Sequence, residues 1–263
     1  MAAAQSEGPD KQRILLEARL SENTEIIKDG VEWRIFSSQP DEEGNIPELI
    51  FSHGGSKAFD IAPGEYLIHA AYGHASTVKR VKISGEAIRE EFNFNAGGLK
   101  LQATAADEVR IPPRMLRFDV YEQKIRQNGT RKLLARDIGA GEVIPFPVGT
   151  YHIVSRFGDL NATVRADIRV EPGKLTIGSL THRAAIVSFR LVRSNGGDAV
   201  ANTAWSILTE NGEVVDEIVR TFPSMVLSEG NYTAIAKHNE KVYSHDFKVR
   251  SGFNEDVEVL IVN

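Results

Sequence analysis

One phrase recurs three times along the chain, and this repetition constrains the fold more than any other feature. The phrase reads IAPGEYLIHAAYG from Ile61, FPVGTYHIVSRFG from Phe146 and LSEGNYTAIAKHN from Leu227. Each copy carries a glycine followed two residues later by a tyrosine, at Gly64 and Tyr66, Gly149 and Tyr151, and Gly230 and Tyr232. Because self-similarity at a regular spacing is typical of repeated structural units, the sequence predicts three copies of one module.

A second match lies upstream of the phrase in each copy. The segments VEWRIF, LRFDVY and TAWSIL carry an aromatic residue at the same place, which is Trp33, Phe118 or Trp205. The first two aromatics lie 31 residues before their glycine and the third lies 25 residues before its own, so the third copy is shorter. Asn-Gly dipeptides follow Phe118 and Trp205, and they favour tight hairpin turns, whose central residues need positive φ.

Short runs rich in valine, isoleucine, threonine and aromatic residues fill each copy, and turn residues separate them. The segment TVRADIRV alternates apolar and polar residues, as a half-buried strand does. The segment GEAIREEF allows at most one helical turn. About seven strands in copies of roughly 80 to 85 residues favour an antiparallel β-sandwich.

We therefore predict an all-β chain of three tandem antiparallel β-sandwich modules. Their predicted bounds are 13–97, 98–182 and 183–263, after a flexible N-terminus at 1–12. The segments NAGG (95–98) and LTIGSLTHR (175–183) are interpreted as short junctions. A strand in each copy is expected to end at a glycine, at Gly85, Gly173 and Gly252.

The phrase PGEYLIHA resembles the prealbumin-like modules, which include the carboxypeptidase regulatory-like domain, the transthyretin family and the B-type repeats of collagen adhesins. The resemblance extends over all three copies and implies a β-sandwich fold of the kind found in bacterial cell-envelope proteins. In such modules the recurring glycine lets the chain turn sharply into a strand. The recurring tyrosine is expected to bury its ring and to bond a backbone group near the corner.

The recurring aromatics Trp33, Phe118 and Trp205 are interpreted as core residues, with a sugar-binding platform as the alternative. The adhesin branch of the resemblance implies a Lys–Asn isopeptide bond promoted by an acid four residues past the tyrosine. Those positions hold Ala70, Ser155 and Ala236 instead. The sequence therefore predicts no such cross-link in any copy.

No catalytic, metal-binding or cofactor-binding residue is predicted. The transthyretin-related hydrolases use clustered histidines and a C-terminal YRGS-like signature, whereas this chain ends in VEVLIVN and its seven histidines are scattered. Neither a nucleophile elbow nor a phosphate-binding glycine loop is present. A hydrolase with a site between modules stays an alternative, with histidines 69, 74, 152 and 182 as its candidates.

Composition narrows the partner and the compartment. The formal charge is −5 with no Lys/Arg-rich run, which argues against nucleic acid as a partner. No apolar run approaches the roughly 20 residues needed to span a bilayer. The chain has no cysteine, so disulfides are excluded. Ala2-Ala3-Ala4 resembles the end of a secretory signal, and the alternative is a chance alanine run in a flexible N-terminus. On the first interpretation we expect a periplasmic or extracellular protein whose cleaved signal peptide is absent from this chain.

Two regions are candidate binding surfaces. Tyr72 and Phe157 lie six residues past their tyrosines, near a hairpin tip, and either form a binding edge or close the sandwich end. Asp41, Glu42 and Glu43 lie in a long acidic loop, for which solvated turn residues and calcium ligands both stay open. We interpret the chain as a non-enzymatic spacer and recognition module that binds a protein or an envelope polymer. The alternative is a carbohydrate- or peptidoglycan-binding protein.

Overall fold

The computed structural model describes residues 11–84, 86–106 and 108–262. In the first copy, seven strands follow one another: β1 Gln12–Arg19, β2 Val31–Ser37, β3 Glu48–Gly54, β4 Lys57–Ile61, β5 Gly64–Tyr72, β6 Ala75–Ile83 and β7 Ile88–Asn93.

The second copy adds a two-residue strand and one 3-10 turn to the same series. Its elements are β8 Ala96–Ala105, β9 Val109–Arg110, the 3-10 helix Pro113–Met115, β10 Leu116–Ile125, β11 Arg131–Gly139, β12 Val143–Pro147, β13 Gly149–Phe157, β14 Thr163–Val170 and β15 Leu175–His182.

The third copy returns to seven strands with shorter connections. They are β16 Ala184–Val192, β17 Ala204–Thr209, β18 Val214–Val219, β19 Ser224–Ser228, β20 Gly230–His238, β21 Lys241–Val249 and β22 Glu255–Leu260.

The strand order is the same in every copy. Each copy contributes one sheet built on three strands in the orders β4-β1-β7, β12-β8-β15 and β19-β16-β22, and in the second copy β9 also pairs with β8 as a fourth strand. Each also contributes one four-stranded sheet, with the orders β3-β2-β5-β6, β11-β10-β13-β14 and β18-β17-β20-β21. The predicted all-β architecture of tandem sandwiches is therefore confirmed. The first and last strands of the first copy pair in parallel, and so do those of the third.

The core of the first copy lies between its two sheets. Trp33 from the four-stranded sheet meets Phe92 from the three-stranded sheet edge to face, with ring centroids 5.2 Å apart. In the third copy Phe189 contacts Trp205 and Phe247 across the same gap, at 5.7 and 5.3 Å. Alternation produces this core, because every second side chain of a strand such as β2 points inward.

Three details of the sequence interpretation are corrected by the structure. The segment LTIGSLTHR is no junction, because Leu175–His182 forms β15, the last strand of the second copy. Likewise β8 already begins at Ala96, inside the supposed junction NAGG. The segment read as at most one helical turn forms strand β7, at Ile88–Asn93, in which Ile88 and Phe92 share one face and Phe92 is buried.

Some predictions stay untested. Gly85 and Ala2-Ala3-Ala4 lie outside the described residues. The chain divides into two compact units, of which the first comprises the described residues up to Lys100 with Val143–Thr150 and Arg169–Ile177. The second comprises Leu101–Glu142, Tyr151–Ile168 and the residues from Gly178 onward. This division runs through the second copy, so the boundaries of the three modules remain a prediction.

Over the part of the chain that the structure describes, no helix has the length and apolar character needed to cross a membrane.

Candidate functional site

The recurring tyrosines are corner residues. The hydroxyl of Tyr66 donates to the backbone carbonyl of Ala62 at 2.8 Å. The hydroxyl of Tyr232 donates to the carbonyl of Ser228, again four residues upstream, at 2.9 Å. Tyr151 is buried at the same place, and this burial raises the pKa of its phenol. Each ring is therefore committed to the fold and is not offered to a partner.

The recurring glycines act differently from the expectation of a sharp turn. Neither Gly64 nor Gly230 has a positive φ, and each is the first residue of its strand. A Cβ at these positions would meet the ring of the tyrosine two residues on at 3.4 and 3.5 Å. These distances are ordinary van der Waals contacts, so neither the space nor the backbone conformation at Gly64 and Gly230 requires glycine. Gly149 begins β13 in the same way.

The recurring aromatics lie in the core. Trp33 and Trp205 are 0% and 1% exposed, and Phe118 is 0% exposed. Each indole N–H donates to a backbone carbonyl, that of Gly55 at 2.8 Å and that of Arg220 at 3.0 Å. A sugar platform needs an exposed ring face, which these residues do not have.

The hairpin-tip aromatics close the ends of the sandwiches. Tyr72 is half-buried and stacks on Phe94, with ring centroids 6.2 Å apart. Phe157 is 3% exposed and meets His182 edge-on at 5.8 Å. The interpretation of Phe157 as an exposed binding residue is thus incompatible with its burial. Alternation places it on the same strand face as the corner tyrosine.

These tips also form contacts with the following copy. The turn at Gly73 and His74 contacts β12: the His74 N–H donates to the Pro145 carbonyl at 2.9 Å. The ring of His74 stacks on Phe146 with centroids 4.6 Å apart. Burial lowers the pKa of His74. We refer to the contacts of Gly73 and His74 with β12 as the first joint.

The second joint consists of the contacts that the turn at residues 158–162 makes with β19 and β20. The Asn161 amide N–H donates to the Tyr232 hydroxyl at 2.9 Å, and the backbone N–H of Ser228 donates to the Asn161 side-chain oxygen at 2.9 Å. A residue of the second copy therefore bonds the corner tyrosine of the third. Sequence analysis missed Asn161, because no local pattern shows which strand a turn will contact.

The four candidate histidines of the hydrolase hypothesis do not meet in either of two clefts formed by the described residues. One cleft of about 800 Å³ lies beside residues 21–24 and 172–174, and another of about 690 Å³ lies beside residues 162–164 and 228–231. Of the four histidines, only His182 lines either cleft. His152 instead bonds Asp167 at 2.7 Å on an outer sheet face, and this bond lowers the pKa of the aspartate.

Ser155 and His182 form a buried pair. The Ser155 hydroxyl lies 2.8 Å from Nε2 of His182, and the two residues are 0% and 1% exposed. Burial lowers the pKa of His182 to about 4. A serine beside a histidine is a motif of nucleophilic catalysis, but here no substrate could reach the hydroxyl without opening the sandwich. Within residues 11–84, 86–106 and 108–262, no group of three or more His, Asp or Glu side chains is placed to hold a metal.

The acidic loop, residues 38–47, is exposed and internally ordered. The carboxylate of Asp41 accepts the backbone N–H groups of Glu43 and Asn45 at 3.0 and 2.8 Å. Glu42 and Glu43 remain exposed. Asp41 thus holds the loop, while the two glutamates project from it.

Exposed apolar residues adjoin this loop. Ile46, Leu49 and Phe51 are 48%, 52% and 53% exposed. The guanidinium of Arg34 lies 4.8 Å from the centre of the Phe51 ring. These residues lie at the end of the loop and on the outer face of β3. Sequence analysis overlooked them, although the apolar run in PELIFS was its available signal.

The third copy matches the model of a known domain family. The model described as the Rhizobiales growth-associated tandem repeat domain matches residues 186–261. A search of the curated protein sequences found no match.

Three solved structures similar to the chain come from Bacillus anthracis, a streptococcus and Bacillus cereus. The Bacillus anthracis TIE protein is 14% identical, with a TM-score of 0.27, over 96% of this chain and 50% of that one. This chain thus spans half the length of that protein chain. A streptococcal ancillary pilin is 11% identical, with a TM-score of 0.32, over 95% of this chain and 99% of that one. BcpA, the major pilin subunit of Bacillus cereus, is 10% identical, with a TM-score of 0.25, over 95% and 99%.

Proposed function

We propose that the chain is a non-enzymatic protein of the cell envelope whose repeated sandwiches bind another macromolecule. The residues that recur between copies support this proposal, because they serve the fold: corner tyrosines, core tryptophans and sandwich-closing aromatics. Specificity then belongs to the features in which the copies differ. Repetition extends a surface, whereas catalysis needs one place where different groups converge.

The acidic loop is the feature that carries the proposal. The same connection occupies residues 38–47 in the first copy but only 126–130 in the second and 210–213 in the third. Its glutamates project beside Ile46, Leu49 and Phe51. Carboxylates next to an apolar patch suit a protein surface that presents lysine or arginine beside apolar side chains.

Electrostatic recognition predicts a defined salt dependence. Exposed charges are screened within about 8 Å at physiological ionic strength, so binding through Glu42 and Glu43 weakens as salt is added. Binding through the apolar residues alone would not weaken in this way. Salt dependence therefore separates the two contributions.

The test replaces residues 38–47 with an Asn-Gly turn, which the third copy uses at the same place. Wild type, this variant and E42Q/E43Q are immobilised and challenged with native envelope extract and, separately, with purified peptidoglycan. We expect unchanged thermal unfolding, capture of a protein by wild type, and at least a tenfold loss of that capture in both variants. Shortening residues 126–130 of the second copy to Asn-Gly is the matched control.

Three results would contradict the proposal. Capture that survives in both loop variants would remove the acidic loop from the binding site. A measurable turnover that is lost on substitution of His69 or His152 would favour the hydrolase hypothesis. Retention of peptidoglycan that does not depend on the loop would favour the carbohydrate-binding alternative.

A further inference from the structure

The second copy differs from the first at two buried positions. Four residues past the corner tyrosine, the first and third copies have Ala70 and Ala236, and the second has Ser155; all three are 0% exposed. Two residues before the next copy's first strand, the first copy has Phe94 and the second has His182. Phe94 and His182 each contact the hairpin-tip aromatic of their own copy. Phe94 stacks on Tyr72, and His182 meets Phe157 edge-on. The second copy thus has a polar Ser–His pair where the first has an apolar Ala–Phe pair.

The polar pair bridges the two sheets of the second copy. Ser155 lies on β13 of the sheet β11-β10-β13-β14, and His182 ends β15 of the sheet β12-β8-β15. Their side chains are joined at 2.8 Å. The other ring nitrogen of His182, Nδ1, is buried and has no hydrogen-bond partner. Leaving a buried polar atom unpaired costs free energy, so packing alone does not explain this pair.

The pair lies directly at the second joint. A single residue, Arg183, separates His182 from β16 of the third copy. Gly158 follows Phe157, and its backbone is so close to β19 that a Cβ would lie 2.9 Å from the Val226 side chain. A displacement of the His182 ring would therefore move Phe157 and the turn that contacts the third copy.

The surroundings disfavour a charged imidazole. Arg183, Glu229 and Lys248 line the cleft beside His182, and the carboxylate of Glu229 is already held by Arg183 at 2.8 Å. On β13 the neighbours are the neutral Ser155 and Phe157. In the turn between β21 and β22, the Ser251 hydroxyl donates to the His182 carbonyl at 3.3 Å. Among the described residues that line this cleft, Glu229 is the only carboxylate, so an imidazolium finds no free carboxylate there.

We propose that the Ser155–His182 pair makes the second joint proton-sensitive: uptake of one proton by His182 in mild acid displaces its ring and loosens the turn that holds the third copy. In the imidazolium both ring nitrogens carry a hydrogen, and the buried site supplies no acceptor for the one on Nδ1. This inference goes beyond the proposed binding function and does not depend on it.

The direction of the pH effect follows from linkage. Burial lowers the pKa of His182 to about 4, whereas a displaced ring titrates near its ordinary value of 6.5. Between these values the opened state binds more protons than the closed state. The closed joint is therefore stable at neutral pH and loses stability as the pH falls from about 6.5 to about 4.

The first copy supplies the matched control. S155A/H182F copies its Ala70 and Phe94 into the second copy and removes the titratable group. We expect the thermal midpoint of the wild type to fall by at least about 5 °C more than that of the variant between pH 7 and pH 4.5. Hydrogen exchange in residues 157–163 and 224–232, corrected for intrinsic rates, should rise at pH 4.5 in the wild type only.

Two further measurements keep the test decisive. NMR titration of His182 in the wild type should give a pKa below 5; a value near 6.5 would overturn the proposal. If S155A/H182F does not fold, H182Q keeps a side-chain donor for Ser155 without a titrating group. Equal acid sensitivity in the wild type and these variants would also overturn it. H152Q, which removes an outer-face histidine, should retain the wild-type response.

Discussion

In both joints a hairpin turn of one copy lies against a strand of the next, but the side-chain contacts that close the two joints differ. At the first joint a two-residue turn places His74 on Phe146 and bonds the Pro145 carbonyl. At the second joint the longer turn at residues 158–162 lets Asn161 reach the corner tyrosine of the next copy. The two-residue turn is thus closed by ring stacking, and the five-residue turn by side-chain hydrogen bonds.

What both joints share is a glycine at the hairpin tip. Gly73 has φ of 60° and Gly158 has φ of 67°. A Cβ would lie 2.7 Å from Pro145 in the first joint and 2.9 Å from Val226 in the second. Asn239 takes this position in the third copy, also with positive φ. Close approach of the next copy, and not the turn alone, explains why the first two copies need glycine there.

The largest expected effect comes from filling this space. G73A and G158A should each destabilise the protein by about 2–4 kcal/mol, since left-handed strain of about 1 kcal/mol adds to overpacking of about 1–3 kcal/mol. G129A and G212A are the controls, because these glycines have φ of 78° and 81° but nothing within 4 Å. Chemical denaturation measures the difference. Equal losses in all four variants would show that the joints tolerate the extra carbon.

A smaller effect should separate the two joints. N161A removes two hydrogen bonds at the second joint and should cost about 1–2 kcal/mol. H74A removes one ring stack at the first joint and should cost at most about 1 kcal/mol. Because Asn161 acts through Tyr232, a double-mutant cycle of N161A with Y232F should show coupling of at least about 0.5 kcal/mol. Additive losses would mean that the Asn161–Tyr232 bond contributes nothing.

The smallest expected effect concerns the mass of the intact chain, which should not differ from that of the unmodified chain. We expect noncovalent packing alone to hold every copy together, because Ala70, Ser155 and Ala236 occupy the position of the promoting acid. Intact-protein mass spectrometry should therefore give the mass of the unmodified chain. A deficit of one ammonia per cross-linked copy would reveal an isopeptide bond and an acid supplied by another strand.

Local patterns were enough to predict the repeated architecture. Alternating apolar residues marked the strands, and the recurring glycine and tyrosine located the corner that Tyr66 and Tyr232 make with a backbone carbonyl four residues upstream. These contacts join residues that are close in sequence, so one short segment contains the whole pattern that predicts them. The last strand of the second copy was missed because Leu175–His182 carries Gly178 in its interior, and glycine weakens the strand pattern.

Only the tertiary structure decided which side chains meet across copies and across sheets. Ser155 and His182 are 27 residues apart, and Asn161 and Tyr232 are 71 apart. No periodicity encodes such pairs, because they depend on which strands become neighbours and on how long each turn is. Burial of Phe157 was likewise decided by the end of the sandwich against which it packs. The sequence by itself determined the repeated module and its corners, and the folded chain determined the chemistry of its joints.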